Sequence, residues 1–443
     1  MSRVTSPSTS SKPVAGSAYG WYVVGILILA YTVSYVDRTI LTLLVKPIRE
    51  TLQISDTQIS LLHGLAFALF YTVLGIPIAR LADRYDRTRI ITAGIVVWSL
   101  MTALCGFARN FGQLFLARVG VGVGEAALGP AAYSVLGDYF KGPALTRALS
   151  VYTSAIYLGA GLALMIGGAV IASVKPMNLP VLGHFEPWQV VFLFVGLPGL
   201  VVALLMLTVR EPSRTDLGDG KRGAAMPVRD VLAYLRARLG AYGYLVAGFA
   251  AASLLWNGAQ AWIPTFFIRT FGWTPADVGL RYGPILLVCG SAGVISGGFL
   301  SGWFARRGRI DANLMVGIVS SALMLPAGLI APQLATAEAC LVAFAAFCFA
   351  GAMPYGAAGA ALTEITPNQM RAQVTAIYFF FLNLAGIGLG PTVVALFTDR
   401  LFNDDLAVGR SIMVVAAIAA PLSLFLLWRG LEPFRRCVES VDF

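Results

Sequence analysis

The chain has 443 residues, is 58% hydrophobic and only 12% charged, and has a mean hydropathy of +0.77. A soluble domain carries about 25% charged residues, so this composition excludes a soluble enzyme and points to an integral membrane protein. The formal charge of +10 invites a nucleic-acid partner, but its placement along the chain supplies a different explanation.

Residues 1–18 form a Ser/Pro-rich polar tail without the pattern of a cleavable signal peptide. Apolar runs long enough to cross ~30 Å of hydrocarbon then follow near 20–45, 57–79, 89–108, 111–137, 147–174 and 188–209. After a polar interval, six more cover about 241–268, 276–303, 312–331, 337–361, 371–397 and 409–429. The reading is an all-α membrane protein with twelve transmembrane helices. Its units are a tail (1–18), a six-helix bundle (19–209), a linker (210–240), a second six-helix bundle (241–430) and a short tail (431–443). If both ends are cytoplasmic, only Lys46, Arg49, Arg109, Lys175, Arg269, Arg400 and Arg410 of the 32 Lys and Arg fall on outer segments. Arg38, Arg118 and Arg281 lie within spans, and the rest face the cytoplasm. That asymmetry is the positive-inside signature, and it accounts for the basic balance without nucleic acid.

Within span 1, "YTVSYVDRTILTLLV" carries Asp37 beside Arg38, far from either end. Buried charge costs at least ~2.5–3.5 kcal/mol per residue, so these side chains are functional candidates. The loop after span 2, "ARLADRYDRTR", and the loop after span 8, "GFLSGWFARRGR", each place small residues and then an Arg cluster at the same point of a six-helix unit. Span 4 contains "RVGVGVGEAALGP", with Arg118 and Glu125 two turns apart on nearly one face. In span 11, Gly386 and Gly390 make a small face that permits close helix approach, and Gly159, Ala163 and Gly167 in span 5 are a looser counterpart. In the linker, Val231, Leu232, Leu235 and Leu239 share one face of a short amphipathic helix expected on the inner membrane surface. The two histidines are too few and scattered for a metal site, and His63 reads as a satisfied polar residue. No cofactor motif is present: "GVGVGE" lies inside a membrane helix and follows no strand.

Two six-span halves with weak internal similarity suggest a repeat-built transporter, and the chain resembles the major facilitator superfamily over roughly residues 20–430. The loop motif of that family matches at Leu81, Ala82, Asp83, Arg84 and Arg87 and departs at Ala79, Asp86 and Thr88. The second copy has Gly302 where the acid would stand, which places a charge latch in the first half. "YVDRTILTLLVKPIRETLQISDTQ" and "ARVGVGVGEAALGPAAYSVLGDYF" are similar to the Spinster-type branch. That resemblance implies proton-linked movement of lysolipids or related amphiphiles, in a multi-pass protein of a bacterial inner membrane that functions as a monomer.

Depth arithmetic at ~1.5 Å per residue puts Asp37 and Arg118 at similar levels, so an Asp37–Arg118 ion pair is expected, with Arg38 free for another neighbour or an anionic substrate. Asp37, Glu125 and Arg118 are the candidate proton-coupling set. Arg38, Tyr157, Trp256, Asn257, Gln260 and Asn383 are the candidate substrate cavity. Asp83, Arg84, Arg87, Asp138 and Arg147 form a candidate cytoplasmic gate, with Asp138 paired to Arg147. The expected partners are a small amphiphilic or lipid substrate and membrane lipids, with protons as the coupling ion. The rival functions are an organic-anion or sugar-acid symporter and a drug/proton antiporter on the same fold; a channel or scaffold is the alternative outside transport.

Overall fold

The structure is a computed structural model and describes residues 18–440 apart from 142, 180–182, 213–226 and 368. Of the expected tails, 1–17 and 441–443 lie outside the described residues, as does most of the early linker; the tail expected from 431 instead continues the last helix to Glu439, with Phe434 and Cys437 buried. Among the described residues, twelve helices are long and apolar enough to cross a membrane. Spans 1 to 6 are Ala18–Leu43, Asp56–Ala82, Arg87–Cys105, Phe111–Tyr139, Arg147–Ser173 and Pro187–Met206. Spans 7 to 12 are Leu239–Phe271, Pro275–Arg306, Ala312–Gln333, Ala337–Glu364, Gln373–Phe402 and Asp405–Glu439. Every expected span is present, with ends shifted by a few residues except in span 12, which ends at Glu439 and not near 429. An even number of crossings brings both ends of the described chain to one face, called here the terminal face; the opposite one is the far face.

The first bundle packs span 1 on spans 5 and 6, and span 3 on spans 4 and 6. The second packs span 7 on spans 11 and 12, span 9 on span 12, and span 8 on span 10. Spans 4 and 10, the fourth of each half, are both broken. Span 4 divides into Phe111–Glu125 and Leu128–Tyr139, and span 10 into Ala337–Ala352 and Pro354–Glu364. Pro130 and Pro354 supply the cause, since proline removes a backbone donor and clashes with the preceding turn. The break leaves Glu125 as the last residue of the upper half of span 4.

Glycine allows the turn above it to be thin. A Cβ at Gly124 would lie 2.6 Å from the Trp98 nitrogen, and one at Gly122 would lie 2.7 Å from the Phe67 carbonyl. Spans 2 and 3 therefore pack directly onto the backbone of span 4. The small face of span 11 behaves as the sequence suggests, with Gly390 against the Leu254 carbonyl and the Gly258 backbone of span 7. Gly159 and Gly167 of span 5 seat Tyr35 and Ile40 of span 1.

The bundles meet along two seams. Spans 5 and 8 interlock through glycines: a Cβ at Gly161 would lie 2.6 Å from the Leu287 Cβ and 2.8 Å from the Gly283 carbonyl. Spans 2 and 11 meet through two wide π-helical turns, Leu61–Leu65 and Leu384–Leu389. There a Cβ at Gly64 would lie 2.6 Å from the Ile387 carbonyl and 2.7 Å from that of Gly388.

Two features depart from expectation. A small antiparallel hairpin, Met177–Leu179 with Gly183–Phe185, joins spans 5 and 6 on the far face. The linker helix forms at Val228–Ala237, but its apolar side packs on protein and not on the membrane surface. Val231 is fully buried with Met370 and Val374, and the Tyr234 hydroxyl donates to the Ile365 carbonyl at 3.1 Å. Leu232 and Leu239, expected on that face, are exposed.

Candidate functional site

The centre of the first bundle holds four charged side chains, Asp37, Arg38, Arg118 and Glu125. Three of them, Asp37, Arg118 and Glu125, are at most 1% exposed. Their pairing differs from the expected one. Glu125 accepts from Arg38 at 2.5 Å and from the Ser34 hydroxyl at 2.5 Å. Arg118 forms no ion pair with the Asp37 carboxylate; it donates to the backbone carbonyl of Asp37 at 3.1 Å and to that of Leu62 at 3.5 Å. The carboxylate oxygens of Asp37 have no hydrogen-bond partner among the described residues.

The reason is the direction in which helical side chains lean. A Cα–Cβ bond tilts toward the N-terminus of its helix. Span 1 begins at the terminal face, so Arg38 leans down to the level of Ser34 and meets Glu125. Span 4 begins at the far face, so Arg118 leans up, away from Glu125 and toward span 2. Depth measured at Cα atoms alone does not contain this offset.

Arg38 is also held between rings. Its guanidinium carbon lies 4.2 Å from the Phe67 ring centroid, 5.1 Å from Tyr71 and 5.3 Å from Tyr35. Tyr31 stacks on Tyr152 at 5.2 Å and meets Tyr35 edge-on at 5.3 Å. The Arg38 side chain, near the far end of span 1, keeps 17% exposure. Sequence reading missed this aromatic surround. Its available signals were the four-residue spacings Ser34–Arg38 and Tyr31–Tyr35, each of which marks one helix face.

The remaining cavity candidates divide. Tyr157 is buried at the junction of the bundles, 6.2 Å from Tyr355 and clustered with Tyr35 and Trp256. Trp256 stacks on Phe347 at 6.0 Å. Gln260 is spent on the second bundle, donating to Cys348 Sγ and accepting from the Tyr282 hydroxyl at 2.7 Å. Asn257 donates to the Ser253 carbonyl and hydroxyl, beside Gly386. In place of the expected open wall, Gln260 ties span 7 to spans 8 and 10, and Asn257 bonds within span 7. Asn383 ends the α-helical part of span 11, just before its π turn.

The terminal-face candidates divide too. Arg87 is almost buried and donates to Asp138 at 2.5 Å, to Glu211 at 2.6 Å and to the Ser134 hydroxyl at 2.8 Å. Asp138 thus pairs with Arg87; Arg147, its expected partner, is exposed, as is Arg84. The side chain of Asp83 lies outside the described residues. The second half has its own acid after all: Asp311 accepts from Arg309 at 2.8 Å and from Arg435 at 2.6 Å. Each network ties helix ends within one bundle.

The far face carries the polar contacts that join the bundles. Asp56, fully buried, accepts a two-pronged contact from Arg269 at 2.6 and 2.8 Å. Arg49 lies 3.1 Å from Asp56 and 2.8 Å from Asp405. Asp399 accepts from the Thr57 backbone and hydroxyl at 2.7 and 2.6 Å. Burial works against the Arg49 charge, but Asp405, Asp56 and Asp399 outweigh it and hold its pKa above the usual guanidinium value. The far gate is shut. Arg49 and the "SDTQ" segment were visible in sequence, but nothing there showed that they reach residues about 340 positions away.

Two six-helix bundles, with charge buried inside the first and ion pairs joining them on the far face, define the architecture of a membrane transporter. A family profile described as Major Facilitator Superfamily matches residues 27–391, and the chain belongs to that superfamily. It is 31% identical over 432 residues to an "MFS-type efflux pump" of Mycolicibacterium smegmatis, covering 95% of each chain. It is 25% identical to the "Sphingosine-1-phosphate transporter SPNS2" of Xenopus tropicalis, over 89% of this chain and 77% of that one. Among solved structures, it matches a bacterial homologue of the human lysosomal transporter Spinster in an inward-facing, unoccupied conformation. The TM-score is 0.77 at 26% identity, covering 96% of this chain and 98% of that one. The protein is therefore a major facilitator membrane transporter, similar in sequence and fold to Spinster proteins, and not an enzyme.

Proposed function

We propose that the protein is a proton-coupled secondary transporter of an amphiphilic, anionic, lipid-type substrate, with its terminal face in the cytoplasm. The observation that carries the reading is the Arg38 guanidinium, paired with Glu125 and enclosed by Tyr35, Phe67 and Tyr71. A guanidinium recognises phosphate or carboxylate, and the rings accept an apolar chain. The positive-inside bias supports the orientation, and the named relatives support the substrate class. The coupling has a sign. Arg38 pairs either with the Glu125 carboxylate or with a substrate anion, so a proton on Glu125 and an anion on Arg38 favour one another. Substrate and proton then travel together. The likeness to an efflux pump favours a second reading, drug/proton exchange, in which the substrate is cationic and competes with the proton.

The test is binding of a lysophospholipid against a small hydrophilic acid and a lipophilic cation, followed by flux in proteoliposomes. With Glu125→Gln, Arg38 is released permanently. Lysophospholipid binding is expected to become tighter and independent of pH, while flux driven by a pH gradient is lost. Unaltered gradient-driven flux would remove Glu125 from the coupling.

A further inference from the structure

We propose that His63 is a proton-uptake site just beneath the far gate, through which protons reach the acidic pair when that gate opens. His63 lies in the π turn of span 2, where the wider helix coil shifts side chains out of α register. It lines a small cavity between the bundles with Thr42 of span 1, Ser60 of span 2, Trp262 of span 7 and Pro391 of span 11. The other polar groups there are satisfied. The Thr42 hydroxyl donates to the Thr39 carbonyl at 2.7 Å, the Ser60 hydroxyl to the Thr57 carbonyl at 2.6 Å, and the Trp262 indole to the Pro391 carbonyl at 2.9 Å. The Nδ1 of His63 is buried without a partner, contrary to the satisfied residue that sequence reading expects. A buried nitrogen left unbonded calls for an explanation, and imidazole is the side chain whose unperturbed titration falls between about pH 5 and 8.

The surroundings give the site a direction. Above it stands the cross-bundle bond of Ser60 to Thr392, 3.3 Å between hydroxyl oxygens, and above that Asp56 with its two arginines. Below it is Arg118, whose guanidinium joins the Leu62 carbonyl to the Asp37 carbonyl. Spans 7 and 11 present Ala261, Trp262 and Pro391, none of which titrates; span 1 presents Leu41, Thr42 and Val45 with Asp37 one turn lower. Arg118 is the charged side chain held beside the His63 ring, donating to the carbonyl of the preceding residue, Leu62. A second positive charge beside it in a sealed pocket is costly, so the proton either moves on to the acids or holds the gate open. At the site itself, Nδ1 accepts a proton from water admitted by the open gate, and the ring releases one as the gate closes.

The inference rests on the proton-coupled reading, but its test reads the gate directly and needs no substrate. The chain has two histidines, His63 and His184, so His184→Gln leaves one histidine signal for NMR of isotope-labelled protein in nanodiscs. In that background Ser60→Cys with Thr392→Cys locks the gate when oxidised. The His63 signal is expected to titrate between pH 8 and pH 5 when the lock is reduced and to stay in one form when it is oxidised. Identical titration in both states, or none in the reduced protein, would overturn the proposal. Independently, His63→Gln is expected to abolish the pH dependence of the far-gate distance, read by spin labels at Glu50→Cys and Leu401→Cys. Unchanged pH dependence would also overturn it.

Discussion

Arg38 has two roles that a lysine would separate. Its flat guanidinium stacks on Phe67 at 4.2 Å while it pairs with Glu125; an ammonium keeps the charge and loses the planar stacking. Arg38→Lys, which gives up the flat fit on the ring and the two-pronged grip on an anion, is therefore expected to weaken lysophospholipid binding about tenfold, ~1.4 kcal/mol, in a calorimetric titration. On the far face, Asp56 is fully buried between Arg49 and Arg269. Asp56→Asn takes the carboxylate from Arg269, while Arg49 keeps Asp405, and breaking a buried pair costs about 3 kcal/mol or more. The far gate is expected to shift from closed to open by roughly a hundredfold, measured by spin-label distances across it. The identities of the charged residues were legible in sequence, because charge in an apolar run stands out. Their partners were not, because the lean and length of each side chain decide whether Arg38 or Arg118 reaches Glu125.

The helices themselves were nearly all readable from hydropathy and from the polar intervals between them. What hydropathy omits is how a helix departs from α geometry. The breaks in spans 4 and 10 are foreshadowed by Pro130 and Pro354, but the π turns at Leu61–Leu65 and Leu384–Leu389 have no such marker. They face each other, and Gly64 is the point of closest approach, with two carbonyl oxygens of span 11 within 2.7 Å of an added Cβ. Backbone does not move aside as a flexible side chain does. Gly64→Val is expected to fold but to hold the far gate open, giving high accessibility of a cysteine at Thr392→Cys to an impermeant reagent where the parent is protected. The linker helix is a milder case. Its amphipathic pattern was plain, yet a pattern does not say whether membrane or protein will cover it, and here Met370 and Val374 cover Val231.

At the scale of the whole molecule, the repeat pattern gave two bundles and left open which face is shut. That depends on contacts between residues hundreds of positions apart, such as Arg49 with Asp405 and Thr57 with Asp399. The two seams are also made of different material. Spans 2 and 11 are fastened near ion pairs, which are strong, directional and slow to re-form elsewhere. The seam of spans 5 and 8 is backbone and largely apolar side chains, with Gly161 against Leu287, Gly283 against the Gly161 carbonyl and Met165, and Gly290 against the Tyr157 ring. Among the described residues no ion pair crosses this surface, so it behaves as a lubricated bearing on which the halves swivel while the opposite edge unclasps. One added methyl is grit in that bearing. Gly161→Ala is expected to slow turnover several-fold while leaving lysophospholipid affinity unchanged, because friction alters how often the machine cycles and not what it holds.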